Sequence, residues 1–191
     1  MTVGGDISTL GPDAHGAQAS SSEGPAQVDM QSGLVSTAGD DAEGLYAVGG
    51  GSIVTISAAQ SGGSIVTTGT NADGVMAHAN NVTATGVVVQ ASQTGGTIET
   101  SGGASPVFNG SSGVVALMEG QGTATASQSA GASIVTQGDF GYGLSATTGI
   151  TTGQGDVDVV QAGSITTHGV NAPGVYAATR DGHAHVLQEA T

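Results

Sequence analysis

Hydrophobic and polar positions alternate along the chain in short runs, as in β-strands that bury one face. One such run occurs six times; it carries Ile or Val, then Thr two residues later, and it closes on a glycine. The six copies lie at 5–11, 33–39, 63–69, 96–102, 132–138 and 163–169. Their spacing of about 30 residues is typical of repeat proteins in which each repeat is one structural unit.

Two further runs complete each repeat. The second begins at a glycine shortly after the first run closes, and its copies lie at 16–19, 44–47, 74–77, 113–116, 143–146 and 174–177. The third alternates Val and Ala and ends at a glutamine, with copies closing at Gln31, Gln60, Gln93, Gln128, Gln161 and Gln188. Helical spacing is absent, and glycine is too frequent for stable helices.

Three short strands cannot enclose a core alone, but stacked repeats pair each strand in parallel with its equivalent in the next repeat. We therefore predict an all-β fold, a parallel β-helix (β-solenoid) with three short strands per coil and about six coils. We expect residues 1–191 to form a single solenoid segment. The fourth repeat contains additional residues, which we expect to form a loop insertion at about 103–112.

The alternation also predicts which side chains point inward. The first strands contribute Ile7, Val35, Ile65, Ile98, Ile134 and Ile165, and the second strands contribute Leu45, Val75, Val114, Leu144 and Val175. A threonine two residues after each first-strand apolar residue shares its inward parity, so its hydroxyl should bond to a neighbouring coil or to the corner backbone. The glutamines should stack along one corner, each amide donating to the next.

Composition fits a thin core and restricts the partners. The chain has 35 glycines, no cysteine and no tryptophan, and its formal net charge is −14 with Arg180 as the one basic residue besides histidine. Nucleic acid is excluded as a partner because phosphate binding needs clustered Lys and Arg. No apolar run reaches the roughly 18 residues that span a bilayer, so we expect no direct membrane insertion. The acidity favours either colloidal solubility or cation binding.

Two clusters are candidates for cation binding. Asp156 and Asp158 precede Gln161 by the same offsets as His183 and His185 precede Gln188, so stacking should place two carboxylates beside two imidazoles on the outer surface. Such a set either holds Zn²⁺ or another divalent ion, or is an exposed acid and histidine patch.

The second cluster lies at the first corner. Asp13, Asp41 and Asn71 share one register there, and His15, Glu43 and Asp73 share another, with Asp40 alongside. Stacked carboxylates repel each other, and Ca²⁺ relieves such repulsion with six to eight oxygen ligands. However, the glycine-rich nonapeptide signature of calcium-roll proteins is missing. We therefore assign no cofactor and no metal ligand, with calcium at this corner as the alternative.

The sequence contains no catalytic constellation. There is no Gly-x-Ser-x-Gly elbow, and the serines occupy repeat positions without an accompanying His or Asp. Polysaccharide-active enzymes on this fold need clustered carboxylates, basic residues and aromatic platforms, which one arginine and five Phe and Tyr residues do not supply. We therefore predict that the chain is not an enzyme. Outward apolar residues on the second strands, interrupted by Gln18 and Ser145, either form an adhesive stripe or are ordinary scattered surface residues: Tyr46, Met76, Val115 and Tyr176.

The repeats "GLVSTAGDDAEGLYAVGGG", "GSIVTTGTNADGVMAHA" and "GSITTHGVNAPGVYAAT" resemble the passenger region of bacterial autotransporters, the type V secreted surface proteins of Gram-negative bacteria. The resemblance covers essentially the whole chain. It implies a right-handed β-helix at the cell surface, part of a longer protein anchored by a C-terminal β-barrel. It also implies a stalk or adhesin that attaches to cell surfaces, glycans or itself and promotes cell aggregation and biofilm formation. The alternatives are a free extracellular fibre or matrix protein and, as a weaker one, a polysaccharide-active enzyme.

Overall fold

A computed structural model describes residues 1–103, 110–149 and 154–189, and within these ranges the regular structure is β-strand without helix. The strands, numbered in chain order, form three parallel sheets. The first sheet contains β2 (Ile7–Thr9), β5 (Leu34–Thr37), β8 (Ser64–Thr67), β11 (Thr97–Thr100), β14 (Ser133–Thr136) and β17 (Ser164–Thr167). The second contains β3 (Ala17–Ser21), β6 (Leu45–Gly49), β9 (Val75–Ala79), β12 (Val114–Met118), β15 (Leu144–Thr148) and β18 (Val175–Ala178). The third contains β1 (Thr2–Val3), β4 (Ala26–Met30), β7 (Thr55–Gln60), β10 (Val87–Gln93), β13 (Gln121–Gln128), β16 (Gln154–Gln161) and β19 (Ala184–Gln188).

The predicted β-solenoid is confirmed. Each coil passes through the three sheets in turn, and every strand pairs in parallel with its equivalents in the adjacent coils. Ile98, for example, lies opposite Ile65 on one side and Ile134 on the other. Stacking of equivalent positions therefore produces the apolar ladders that the repeat predicts.

The ladders form one continuous core along the axis. In the four inner coils the predicted first-strand and second-strand residues are almost completely buried, whereas Ile7, Ile165 and Val175 in the outer coils are only partly buried. Because alanine and valine supply much of this interior, the three sheets approach closely. The core depends on the number of stacked coils rather than on large side chains.

Threonine hydroxyls hydrogen-bond to the backbone of the first corner. Of the two predicted partners, a neighbouring coil or the corner backbone, the structure shows the corner backbone. The hydroxyls of Thr37 and Thr67 each donate to the carbonyl five residues later, at 2.6 Å in both coils. Thr100 makes the equivalent bond to the carbonyl of Ser111 at 2.8 Å, across the longer segment of the fourth coil. Each hydroxyl therefore satisfies the corner of its own coil.

The glutamine ladder is confirmed at Gln60, Gln93 and Gln128 and is wrong at both ends of the predicted row. After Gln128 it stops, because Nε2 of Gln161 donates to the carbonyl of Gly163 and Oε1 of Gln128 has no hydrogen bond. Nε2 of Gln93 donates to Oε1 of Gln60 at 3.1 Å, and Nε2 of Gln128 donates to Oε1 of Gln93 at 3.0 Å. The residue paired with Gln60 in the coil before is Met30, which is fully buried, whereas Gln31 is exposed. The first-coil strand therefore ends its inward alternation one residue earlier than the glutamine pattern predicts.

Steric contact explains the glycine that opens each second strand. A methyl group on Gly74 would lie 2.4 Å from Cγ2 of Ile98 and 2.7 Å from the carbonyl oxygen of Gly113, both in the next coil. Gly44 has the same relationship to Ile65, and Gly113 to Ile134. The recurring glycine thus makes room for the isoleucine ladder at the first corner.

The expected insertion at about 103–112 falls largely outside the described residues, which omit 104–109. Its described end rejoins the corner: Ser111 and Ser112 are buried, and the hydroxyl of Ser111 donates to the carbonyl of Gly69 at 2.9 Å. The fourth coil therefore returns to the common path before β12 begins.

Candidate binding groove

Left-handed backbone conformations shape the corner between the first and second sheets. Asp13, Asp41 and Asn71 have φ angles of 53°, 53° and 55°, and Phe140 and Asn171 occupy the same conformation. Asp and Asn tolerate this region better than most residues because their short polar side chains bond locally. The predicted common register of Asp13, Asp41 and Asn71 is confirmed, and backbone geometry is one reason for these residue types.

Several corner carboxylates accept backbone N–H groups of the next coil. Oδ1 of Asp40 accepts from Thr70 N at 2.8 Å, and Oδ1 of Asp139, which also follows a closing glycine, accepts from Val170 N at 2.7 Å. These bonds stabilise the stack without a metal ion. Asp40, one of the calcium candidates at this corner, therefore has a structural partner.

The second predicted register is also confirmed, and it extends along the solenoid. Its members directly precede the second-strand glycines: His15, Glu43, Asp73, Ser112, Tyr142 and Pro173. Nδ1 of His15 lies 2.5 Å from Oε2 of Glu43, and Oδ1 of Asp73 accepts from Ser112 N at 2.6 Å. Acidic side chains thus stand beside the outer face of the second sheet.

A groove of about 240 Å³ opens between this row of side chains and the outer face of the second sheet. Oxygen atoms surround its corner end, which is lined by Asp41, Glu43, Asn71 and Asp73. Met76, Val115 and Leu117, from β9 and β12, supply an apolar floor, and Tyr142 stands at the side. The groove therefore combines a negatively charged end with an apolar wall.

Tyr142 extends the aromatic surface toward the following coil. Its ring stacks on that of Tyr176, with centroids 4.7 Å apart and an interplanar angle of 18°. Sequence reasoning identified Tyr176 but missed Tyr142, because it lies just before the second strand rather than on it. Alignment of the residue before each opening glycine would have placed Tyr142 with His15, Glu43 and Asp73.

Burial and like charge perturb the ionisable groups around the groove. Desolvation, with the charge of Glu43 as the next cause, raises the pKa of Asp73 well above its ordinary value of 3.8, and the bond from Ser112 N opposes this shift. Burial, followed by the charges of Glu43 and Glu119, raises the pKa of Tyr46 to about 12. Both shifts indicate a site in which additional negative charge is disfavoured.

Two acceptors in the groove lining are buried without a hydrogen bond: Oε2 of Glu43 and Oδ1 of Asn71. Nδ2 of Asn71 donates to Asp41, which leaves the amide oxygen free. The side chain of Glu43 is 10% exposed. Nδ1 of His15 lies close to Oε2 without hydrogen-bond geometry, so this oxygen has a close contact but no hydrogen bond.

A polar chain crosses the same face beyond the groove. The hydroxyl of Tyr46 lies 3.3 Å from Nδ1 of His78, and Nε2 of His78 lies 3.1 Å from Oε1 of Glu119. The ring of Tyr46 also contacts that of His15, with centroids 4.7 Å apart. Sequence analysis gave no role to His78 or Glu119, which are far apart in sequence and meet only because their coils stack.

The other candidate cluster, formed by Asp156, Asp158, His183 and His185, has the predicted register, but its side chains do not converge on one point. Asp158 pairs with His185 in register, and their side chains lie 3.5 Å apart on the exposed third sheet. Oδ1 of Asp156 accepts from the backbone N of His183 at 2.9 Å. Across the described part of the chain, no three His, Asp or Glu side chains converge closely enough to hold a metal ion.

The described ranges also contain no helix long and apolar enough to cross a membrane. Comparison with known proteins adds no relative: no family model, no curated protein and no solved structure matches the chain. The fold and groove define the chain as a parallel β-solenoid with an acidic, partly aromatic groove on its second sheet.

Proposed function

We propose that the chain is a structural and adhesive solenoid of the bacterial cell surface, in which the outer face of the second sheet makes the adhesive contact. The contrast among the three outer faces carries this proposal. Apolar side chains such as Leu34, Val66 and Val135 also lie on the outer first sheet. The three tyrosines of the chain, however, all lie on or beside the second sheet, where Met76, Val115 and Leu117 line a groove.

Such a surface is better suited to binding a partner than to serving only as a spacer between other parts of a protein. Tyr and Met contribute large contact area, and both are enriched in protein interfaces. The solenoid scaffold holds these side chains at fixed intervals, because each lies directly opposite its equivalent in the next coil. Preorganised contacts of this kind lose little conformational entropy on binding.

The test uses bacteria that display the chain in its parent protein. The variant Tyr46→Ser, Met76→Ser, Tyr176→Ser should reduce attachment and cell aggregation at least fivefold, at unchanged surface expression. The matched control, Leu34→Ser, Val66→Ser, Val135→Ser, removes three apolar side chains from the outer first sheet and should retain adhesion. Equal adhesion by both variants would remove the second sheet from the proposal.

A further inference from the structure

The acidic end of the groove contains more hydrogen-bond acceptors than donors. Asp41, Glu43, Asn71 and Asp73 line it, and the Asn71 amide group already donates to Asp41. Two of the acceptors, on Glu43 and Asn71, are buried without a hydrogen bond. An unsatisfied buried acceptor destabilises the protein, so a donor arriving from outside would be stabilising.

Glu43 has one close side-chain neighbour. Nδ1 of His15 lies 2.5 Å from Oε2 of Glu43 and 3.2 Å from the backbone N of Glu43. One ring nitrogen cannot both accept that N–H and donate to Oε2, so His15 satisfies one of the two groups at most. Three carboxylates, those of Asp41, Glu43 and Asp73, line this end of the groove beside the single imidazole.

The remainder of the groove distinguishes an organic cation from a metal ion. Met76, Val115 and Leu117 form an apolar floor next to the carboxylates, and Tyr142 offers an aromatic side wall. A divalent ion would use only oxygen ligands, and no three carboxylate or imidazole groups converge in the described ranges. A lysine or arginine side chain instead combines a charged head with an apolar stem, which also packs well against aromatic rings.

We propose that this groove binds a lysine or arginine side chain from a basic segment of a different partner protein. This inference rests on the proposed adhesive function and specifies its partner. A second copy of the chain is a poor source, because the sequence contains no lysine and a single arginine, Arg180. The net charge of −14 also attracts a basic segment over distances beyond direct contact.

The probe is a heptapeptide, acetyl-Gly-Arg-Gly-Arg-Gly-Arg-Gly-amide, compared with the same peptide in which citrulline replaces each arginine. Citrulline keeps the shape of arginine and lacks its charge. Methyl-¹³C-methionine NMR gives a local readout, because Met76 lines the groove while Met30 and Met118 are fully buried and report on the fold. The arginine peptide should shift the Met76 methyl signal saturably and leave Met30 and Met118 unchanged.

Three comparisons decide the outcome. The citrulline peptide should bind at least tenfold more weakly, and equal binding would overturn the proposal. The double variant Glu43→Gln, Asp73→Asn should weaken arginine-peptide binding at least tenfold, whereas Asp156→Asn, Asp158→Asn on the third sheet should change it less than twofold. Equal weakening by both pairs would reduce the effect to overall charge and overturn the specific site.

The third comparison adds CaCl₂ alone, with ionic strength matched by NaCl. The Met76 signal should remain in place; a saturable shift at micromolar Ca²⁺ that blocks the peptide would make the groove a metal site and overturn the proposal. The arginine and citrulline comparison needs no variant, so it decides the question even if Glu43→Gln disturbs the fold. Adhesion that depends on Tyr46, Met76 and Tyr176 without peptide binding would leave the adhesive face standing and reject the basic partner.

Discussion

The Nε2 atom of Gln93 donates to Oε1 of Gln60 at 3.1 Å and also reaches the carbonyl oxygens of Gly96 and Ser133. Both glutamine side chains are completely buried. The bonds connect three successive coils across the corner between the third and first sheets. Buried amides thus supply specific polar links at one corner of an interior that is mostly apolar.

Gln93→Leu should lower the unfolding free energy by about 2–3 kcal/mol, because it leaves the buried Oε1 of Gln60 and two carbonyls without their side-chain donor. Urea unfolding followed by circular dichroism measures the change. Gln90→Leu is the matched control, since Gln90 lies on the same strand with its side chain exposed. A similar loss in both variants would contradict the role of the ladder.

Gly113→Ala should destabilise the solenoid by about 1–3 kcal/mol, the usual cost of overpacking. The added methyl group would lie 2.4 Å from Cγ2 of Ile134 and 2.7 Å from the carbonyl oxygen of Gly143. Gly5→Ala provides the contrast, because a methyl group there meets nothing within 4 Å. Thermal unfolding of both variants tests this, and an unchanged Gly113→Ala protein would disprove the steric explanation.

Asp73→Asn should stabilise the protein at neutral pH. The folded-state pKa of Asp73 is raised above its ordinary value of 3.8, chiefly by burial, so the folded state binds this proton more tightly than the unfolded state does. The associated stability is fully present below pH 3.8 and is lost as the pH rises through the raised pKa. Urea midpoints at several pH values should show an advantage for the variant that grows from pH 4 to 8; a constant difference would be inconsistent with this linkage.

Tyr46 should ionise near pH 12, and Glu43→Gln should lower that value. The carboxylate of Glu43 contributes to the shift, but burial is the larger cause, so the pKa should remain above the ordinary 10.0 in the variant. Ultraviolet titration of tyrosinate absorbance, with Tyr142→Phe and Tyr176→Phe present to isolate Tyr46, measures both values. Glu99→Gln on the first sheet should leave the Tyr46 pKa unchanged.

His185→Ala should change the unfolding free energy by less than about 0.5 kcal/mol, because exposed ion pairs contribute little. His185 and Asp158 are both well exposed on the third sheet, and their closest atoms lie 3.5 Å apart. Chemical denaturation at low and high salt measures this. A loss above about 1 kcal/mol would show that the pair has a structural role that its geometry does not indicate.

The repeat made most of the fold predictable. Val114 pairs with Leu144, and Ile134 pairs with Ile98, because the members of each pair occupy equivalent positions in successive repeats and stacking pairs such positions directly. The same argument placed Glu43 beside Asp73 and Asp158 beside His185. The repeat period and the alternation of inward and outward residues can both be read directly from the sequence.

The exception at Met30 follows from the limits of that argument. The glutamine pattern aligns Gln31 with Gln60, but the buried position belongs to Met30, which pairs with Gln60. Met30 precedes Gly33 by three residues, as Gln60 precedes Gly63, whereas Gln31 precedes Gly33 by two. A shift of one residue reverses which face a side chain occupies. The inter-strand pairing shows the shift directly.

The sequence by itself thus determined the solenoid, its inward ladders and the rows of residues along its corners. The tertiary structure decided which of those residues form a site. The acidic end, the floor at Met76 and the side chain of Tyr142 come from different coils, and their meeting depends on corner backbone angles and side-chain rotamers. The backbone angles and rotamers depend on neighbours that are distant in sequence, so they cannot be predicted from a local sequence pattern.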